Sequence, residues 1–318
     1  MSQDLRLQSK TGKSAAPTTF LAGGHGMVGQ ALRQRLIETN EASVIAPTSA
    51  ELNLCDQASV HSFFAQERPQ TVILAAAKVG GIQDNLSHPV QFLQTNLMIQ
   101  TNVIQAAFAH GAAQLIFLAS SAVYPKDAAQ PVQEDSLLTG ELDPANEFYA
   151  IAKIAGIRLC QAYRRQHGMR FTTVVPTNLY GPIAAKSSQV IGSLVTRLHL
   201  AKVDGLNECV VWGTGNVLRE FLHVRDFADA LVQLLKTDEV PDLINIGSGQ
   251  EISVRALAQV VSNIVGYKGQ LVFDATRPEG VARKLLDSSK MRELGWRPNI
   301  GLEDGIREIY ARFLLSQT

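Results

Sequence analysis

From residue 17 to about 176 the chain alternates short apolar runs with longer stretches of helical period. The runs are TTFLAG at 18–23, ASVIA at 42–46, TVILAAA at 71–77, QLIFLAS at 114–120 and FTTVVP at 171–176. None alternates with polar residues, which marks strands buried on both faces. Strand–helix repetition then predicts an α/β domain, a doubly wound parallel sheet, over residues 17–180. Apolar positions keep helical spacing from Asn96 to His110 and from Tyr149 to Tyr163. After Pro176 the strand-like pieces (209–212, 243–246 and 270–273) grow sparser among helical stretches near 190–200, 225–236, 253–265 and 302–314. Residues 181–318 therefore predict a smaller C-terminal α/β lobe packed directly on the first, with the chain crossing back near 220–250. A ligand cleft is expected at the strand carboxyl ends, between the lobes.

Composition narrows the function. The 318 residues carry 29 basic and 29 acidic side chains, so there is no field to draw nucleic acid or an anionic membrane. No stretch approaches the roughly 18 consecutive apolar residues of a membrane span. Residues 1–16 read as a flexible polar tail without the apolar segment of a signal peptide. Cys55, Cys160 and Cys209 have neither metal-site spacing nor an even count, so no metal is expected, and they read as small core residues of a cytoplasmic protein.

The first apolar run leads into Gly23-Gly24-His25-Gly26-Met27-Val28-Gly29, and Gly23, Gly26 and Gly29 have the spacing of a dinucleotide turn. Glycines there let a pyrophosphate approach the amides of a helix N-terminus. After the second run, Ala46-Pro47-Thr48-Ser49 holds no acid to repel a 2′-phosphate, which permits NADP, and no arginine to grip it. His25, Thr48 and Ser49 are the visible partners, so NAD stays open beside NADP.

The fourth run ends in Ser120-Ser121, and Tyr149 and Lys153 stand one helical turn apart on a shared face. A phenol is a poor acid–base group near neutrality until a neighbouring ammonium stabilises its phenolate. A serine hydroxyl can bind the same substrate oxygen, so the three suit a carbonyl being reduced. Alone, such a spacing also fits an ordinary surface helix; its place after the fourth strand of a dinucleotide domain favours catalysis.

These motifs resemble the extended short-chain dehydrogenase/reductases and, within them, the GDP-L-fucose synthase family. The similar segments include FLAGGHGMVGQALR (20–33), SSAVYP (120–125), NEFYAIAKIAGIRLC (146–160), VPTNLYGP (175–182), VVWGTGNVLREFLHVRD (210–226) and VGYKGQLVFDATRPEGVARKLLD (265–287). The resemblance implies a Rossmann fold, a homodimer, NADP as cofactor, and reduction of carbon 4 of a GDP-linked 4-keto-6-deoxy sugar. It implies Ser120, Tyr149 and Lys153 as the catalytic residues. The cofactor would be held by Gly23, Gly26, Met27, Val28, Gly29, Leu118, Ser121, Lys153, Pro176, Asn178, Leu179 and Gln189. Arg197, Trp212, Arg219 and Glu279 would contact the GDP-sugar, guanidinium forks suiting a diphosphate. Read without the family, Arg197 fits a solvated helix face and Trp212 a core.

Two positions depart from the family. Its synthases invert carbons 3 and 5 with a cysteine and a histidine; here those positions are Ala122 and Gln189, which exchange no proton near neutral pH. His199 falls on another helix face, His223 reads as structural, and Lys186 in the shortened loop is the remaining candidate. The expectation is a reductase in which epimerisation is absent or very slow. The alternatives are the complete synthase, a 4-epimerase that recycles bound NAD, and a non-catalytic sensor. A basic residue usual in the family at the His25 position, and another near Pro47, are also missing.

Overall fold

A computed structural model describes residues 18–39, 43–182, 189–277 and 280–316. The first lobe begins β1 (Thr18–Ala22), α1 (Met27–Glu38), β2 (Ser43–Ile45), α2 (Gln57–Glu67), β3 (Thr71–Leu74), α3 (Ile82–Ser87), α4 (Pro89–Ala109) and β4 (Gln114–Leu118). It continues through α5 (Glu147–His167) and β5 (Arg170–Pro176). Then come β6 (Asn178–Tyr180), α6 (Val190–Val203), β7 (Glu208–Trp212), β8 (Leu218–His223), α7 (Val224–Lys236) and β9 (Leu243–Ile246). The chain closes with β10 (Glu251–Ser253), α8 (Val254–Val265), β11 (Gln270–Asp274), β12 (Arg283–Lys284), α9 (Ser289–Glu293) and α10 (Leu302–Leu315).

Six strands in the order β2-β1-β3-β4-β5-β9 form one wholly parallel sheet. Adjacent residues of each central strand enter different cores. Phe20, Leu74 and Phe117 pack with α2, α4 and α5, while Leu21, Ile73 and Ile116 pack with α1 and α7. This is the double burial that leaves an apolar run without polar interruption. β9 reaches this sheet only after an excursion through α6 and β7, and its pairing with β5 ties the later chain to the first lobe.

A third core joins α6, α8 and α10 to β7 and β11, which pair in parallel. β8 lies between β10 and β12 and also pairs with β6. Its central Glu220 is fully buried, a position that apolar patterning does not anticipate. Glu220 Oε1 accepts from Gly249 N at 2.7 Å and Oε2 from Leu286 N at 3.1 Å. A buried carboxylate persists when such N–H groups satisfy it. Cys160 and Cys209 are buried as expected; Cys55 instead lies half-buried in the turn before α2. No described helix is long and apolar enough to cross a membrane.

Candidate active site

The glycine loop crosses from β1 into α1 with no room for a side chain at Gly23, Gly24 or Gly29. A Cβ on Gly23, where φ is +86°, would lie 2.7 Å from Ala76 N, and one on Gly29 would lie 2.0 Å from Gly23 O. The loop therefore offers bare backbone at the N-terminus of α1, where Gly26 caps the helix and Met27 and Val28 open it. Such a cradle fits a dinucleotide pyrophosphate. At its rim the exposed His25 ring is 3.0 Å from Ala46 O, and the Thr48 hydroxyl donates to Glu51 at 2.9 Å. Glu51 is a carboxylate just beyond Ala46–Ser49, the stretch in which the sequence shows no acid.

From Gly23 the neighbouring segment after β3 runs to Gly80 and Gly81, which line a cavity of about 930 Å³ between the lobes. Its wall brings together Ser120, Ser121, Tyr149, Asn178, Leu179 and Gln189 with Arg197, Trp212 and Arg219. Ala122 is on the same wall. Leu118 and Pro176 are buried at the ends of their strands, and Glu279 and Lys186 lie outside the described residues. His199 packs on Tyr310 and Phe313, and His223 caps α7, so neither lines the cavity.

Tyr149 and Lys153 share the inward face of α5, as the one-turn spacing requires. Lys153 is buried, donates to Leu118 O at 2.8 Å, and lies 5.9 Å from the Tyr149 ring centroid. Burial pushes its amine down to about 7. Burial pushes the Tyr149 phenol up to about 12, against the pull of a hydrogen bond with Ser120. The expected lowering of the phenol by Lys153 is not found in this site: burial raises it, and Ser120 is the group that opposes the rise.

On the opposite wall Arg197 donates to Val210 O. Arg219 on β8 stands beside Lys284 on β12, its register partner. Lys284 was missed in the sequence, although RKLLD (283–287) belongs to a resembling segment. It lines the cavity with Ala122, and burial, reinforced by the Arg219 charge, pushes its amine down to about 8. Asp143 and Asn146, also unassigned from sequence, complete this part of the wall. Among the described residues no three His, Cys, Asp or Glu side chains converge as metal ligands.

Residues 19–247 match the NAD dependent epimerase/dehydratase family. The chain is 51% identical to "GDP-L-fucose synthase 1" of Arabidopsis thaliana over 311 residues, 97% of this chain and 96% of that protein. It is 46% identical to the GDP-L-fucose synthase of Escherichia coli K12 over 310 residues, 94% of this chain and 97% of that one. A solved GDP-mannoheptose C4 reductase from Campylobacter jejuni with NADP bound superposes with a TM-score of 0.87 at 34% identity, covering 95% of this chain and all of that one (100%). With its dinucleotide cradle, its Ser120–Tyr149–Lys153 cluster and this similarity along nearly its whole length, the chain belongs to the GDP-L-fucose synthase family.

Proposed function

We propose that this protein reduces carbon 4 of a GDP-linked 4-keto-6-deoxy sugar with NADPH and does not invert carbons 3 and 5. The observation that carries the reading is a single cavity wall holding Ser120 and Tyr149 beside Ala122 and Gln189. Groups for reduction are present, and side chains that exchange no proton occupy the inversion positions.

Gly23, Gly26, Met27, Val28 and Gly29 would hold the pyrophosphate of NADPH, Lys153 the nicotinamide ribose, and Leu118, Ser121, Pro176, Asn178, Leu179 and Gln189 the nicotinamide side. Bound there, NADPH supplies the hydride for carbon 4. The remaining work falls to the chain. Ser120 donates to the ketone oxygen and polarises it. Tyr149, kept protonated by its burial, is in the form that reduction requires and gives its proton to the same oxygen. Lys153, once protonated, stabilises the phenolate left behind. Arg197 and Arg219 hold the diphosphate, with Trp212 and Glu279 completing the contacts to GDP-sugar.

Lys284 favours a second reading, the complete synthase, because its lowered amine shares the wall with Ala122. Cytoplasmic location and a homodimer belong to the proposal as well. Met98 on α4 and Phe148 and Ile151 on α5 are 40–44% exposed, apolar surface suited to a second copy. The test is NADPH oxidation with GDP-4-keto-6-deoxy-mannose, by the native chain and by Tyr149→Phe. Turnover lost in the variant is expected; turnover retained above a few per cent contradicts the mechanism.

A further inference from the structure

We infer that Trp212, Asp274 and Arg277 form a guanine-reading tip, with the indole as stacking platform, Asp274 as acceptor for the N1–H and N2–H edge, and Arg277 as donor to O6. The inference rests on the proposed GDP-sugar substrate and assigns its base to particular side chains.

The strand pair β7–β11 builds the tip, because its register sets Trp212 directly beside Asp274. Trp212 ends β7 on the cavity wall with half its surface exposed, whereas Trp296 is buried at 4%. An indole left open on a ligand cavity is a platform for a planar base. Arg277 lies over that ring, its guanidinium carbon 5.2 Å from the centroid. Its Nε is 3.4 Å from Asp274 Oδ2, a long contact between an exposed and a half-buried side chain that holds little energy and can yield to a ligand.

Asp274 is fixed from behind. Thr276 N and Thr276 Oγ both donate to Oδ1, at 3.1 and 2.6 Å, so Oδ2 is the oxygen turned to a newcomer. These bonds, together with Arg277, hold the carboxyl below the usual carboxylate range, so it is an acceptor at neutral pH. A guanidinium beside a carboxylate presents donors and then acceptors. Guanine presents the complement along one edge, with O6 accepting and N1–H and N2–H donating. Adenine reverses the first two positions. Uracil places a carbonyl where the carboxylate needs a donor, and hypoxanthine lacks only the N2 amine. The same residue types in another order would favour another base.

The test is calorimetric binding of GDP, IDP, ADP and UDP to the full chain, with intrinsic fluorescence followed in parallel. GDP should bind about tenfold or more tightly than IDP, since one charge-assisted hydrogen bond is at stake. Quenching by GDP should disappear in Trp212→Phe, because Trp296 is buried. Asp274→Ala should bring the GDP/IDP ratio close to one, and Asp274→Asn, whose amide oxygen still accepts a bond, should lower it by less. Arg277→Leu should weaken GDP and IDP equally, as both carry O6. GDP preferred over ADP and UDP, with the GDP/IDP ratio unchanged in both Asp274 variants, overturns this inference alone. No preference for GDP over ADP and UDP overturns the GDP-sugar reading on which it rests.

Discussion

On the cofactor side of the cavity, Gly23, Gly26 and Gly29 come from one turn of chain, and Tyr149 and Lys153 from one turn of α5. On the sugar side, Arg197, Trp212, Arg219 and Lys284 come from α6, β7, β8 and β12. The first set is fixed by backbone geometry, because Gly23 and Gly29 have no space for a Cβ and the helix turn dictates which side chains meet. The second set is held only by the packing of separate elements, so one member can change while the rest stay in place. In the proposed reaction Ala122, after β4, and Gln189, before α6, are single positions of this kind: they would alter the chemistry without touching the cradle.

The largest expected effect is on the cofactor side. Tyr149→Phe removes the only proposed proton donor and should lower turnover by about 10²–10⁴-fold, the usual share of general acid catalysis, with NADPH binding intact. Comparable turnover in the variant and the native chain would end the comparison. Gly29→Ala should cost about tenfold or more in NADPH affinity by calorimetry, because its Cβ meets Gly23 O at 2.0 Å and one lost amide contact is of that size.

A gain of function sharpens the contrast more than a loss. The double variant Ala122→Cys, Gln189→His should acquire inversion, read as solvent deuterium at carbons 3 and 5 of the product, while the single-step reduction persists. Failure of the double variant with reduction intact would mean that the shortened loop after Pro182 matters more than the two side chains.

A smaller effect follows from Lys153. Its amine is pushed down to about 7, so the ammonium that supports the phenolate is present below that value and lost as pH rises through it. The log of kcat/KM for reduction should therefore fall with increasing pH from about 7, and a flat profile to pH 9, roughly two units beyond that pKa, would remove Lys153 from the mechanism. The smallest effect is at the adenosine end. His25→Arg should improve NADPH over NADH by several-fold, the scale of one charge-assisted contact on an exposed rim.

Sequence patterning reached the central strands because double burial leaves apolar runs such as FLA in β1 and VIL in β3 uninterrupted. It did not reach β8, whose Arg219 and Glu220 break the run. Glu220 is tolerated there only because Gly249 and Leu286, distant in the chain, donate to it. β10 and β12, three and two residues long, exist through their pairing with β8 and have no pattern of their own. The candidate site divides in the same way. Tyr149 and Lys153 were legible from spacing, and Lys284 was not, since only the register of β12 against β8 sets it beside Arg219. The spacing suggests a phenol lowered by its lysine; the burial that instead raises it is a property of the packed site.

The most direct test of reduction without inversion is proton NMR of the product formed from GDP-4-keto-6-deoxy-mannose and NADPH in deuterated water. The account predicts NADPH consumption and a reduced sugar with no deuterium at carbons 3 and 5. Deuterium at both carbons, with an L-fucose product, would contradict it and mean that Ala122 and Gln189 have been bypassed, with Lys284 the first residue to substitute in search of the base.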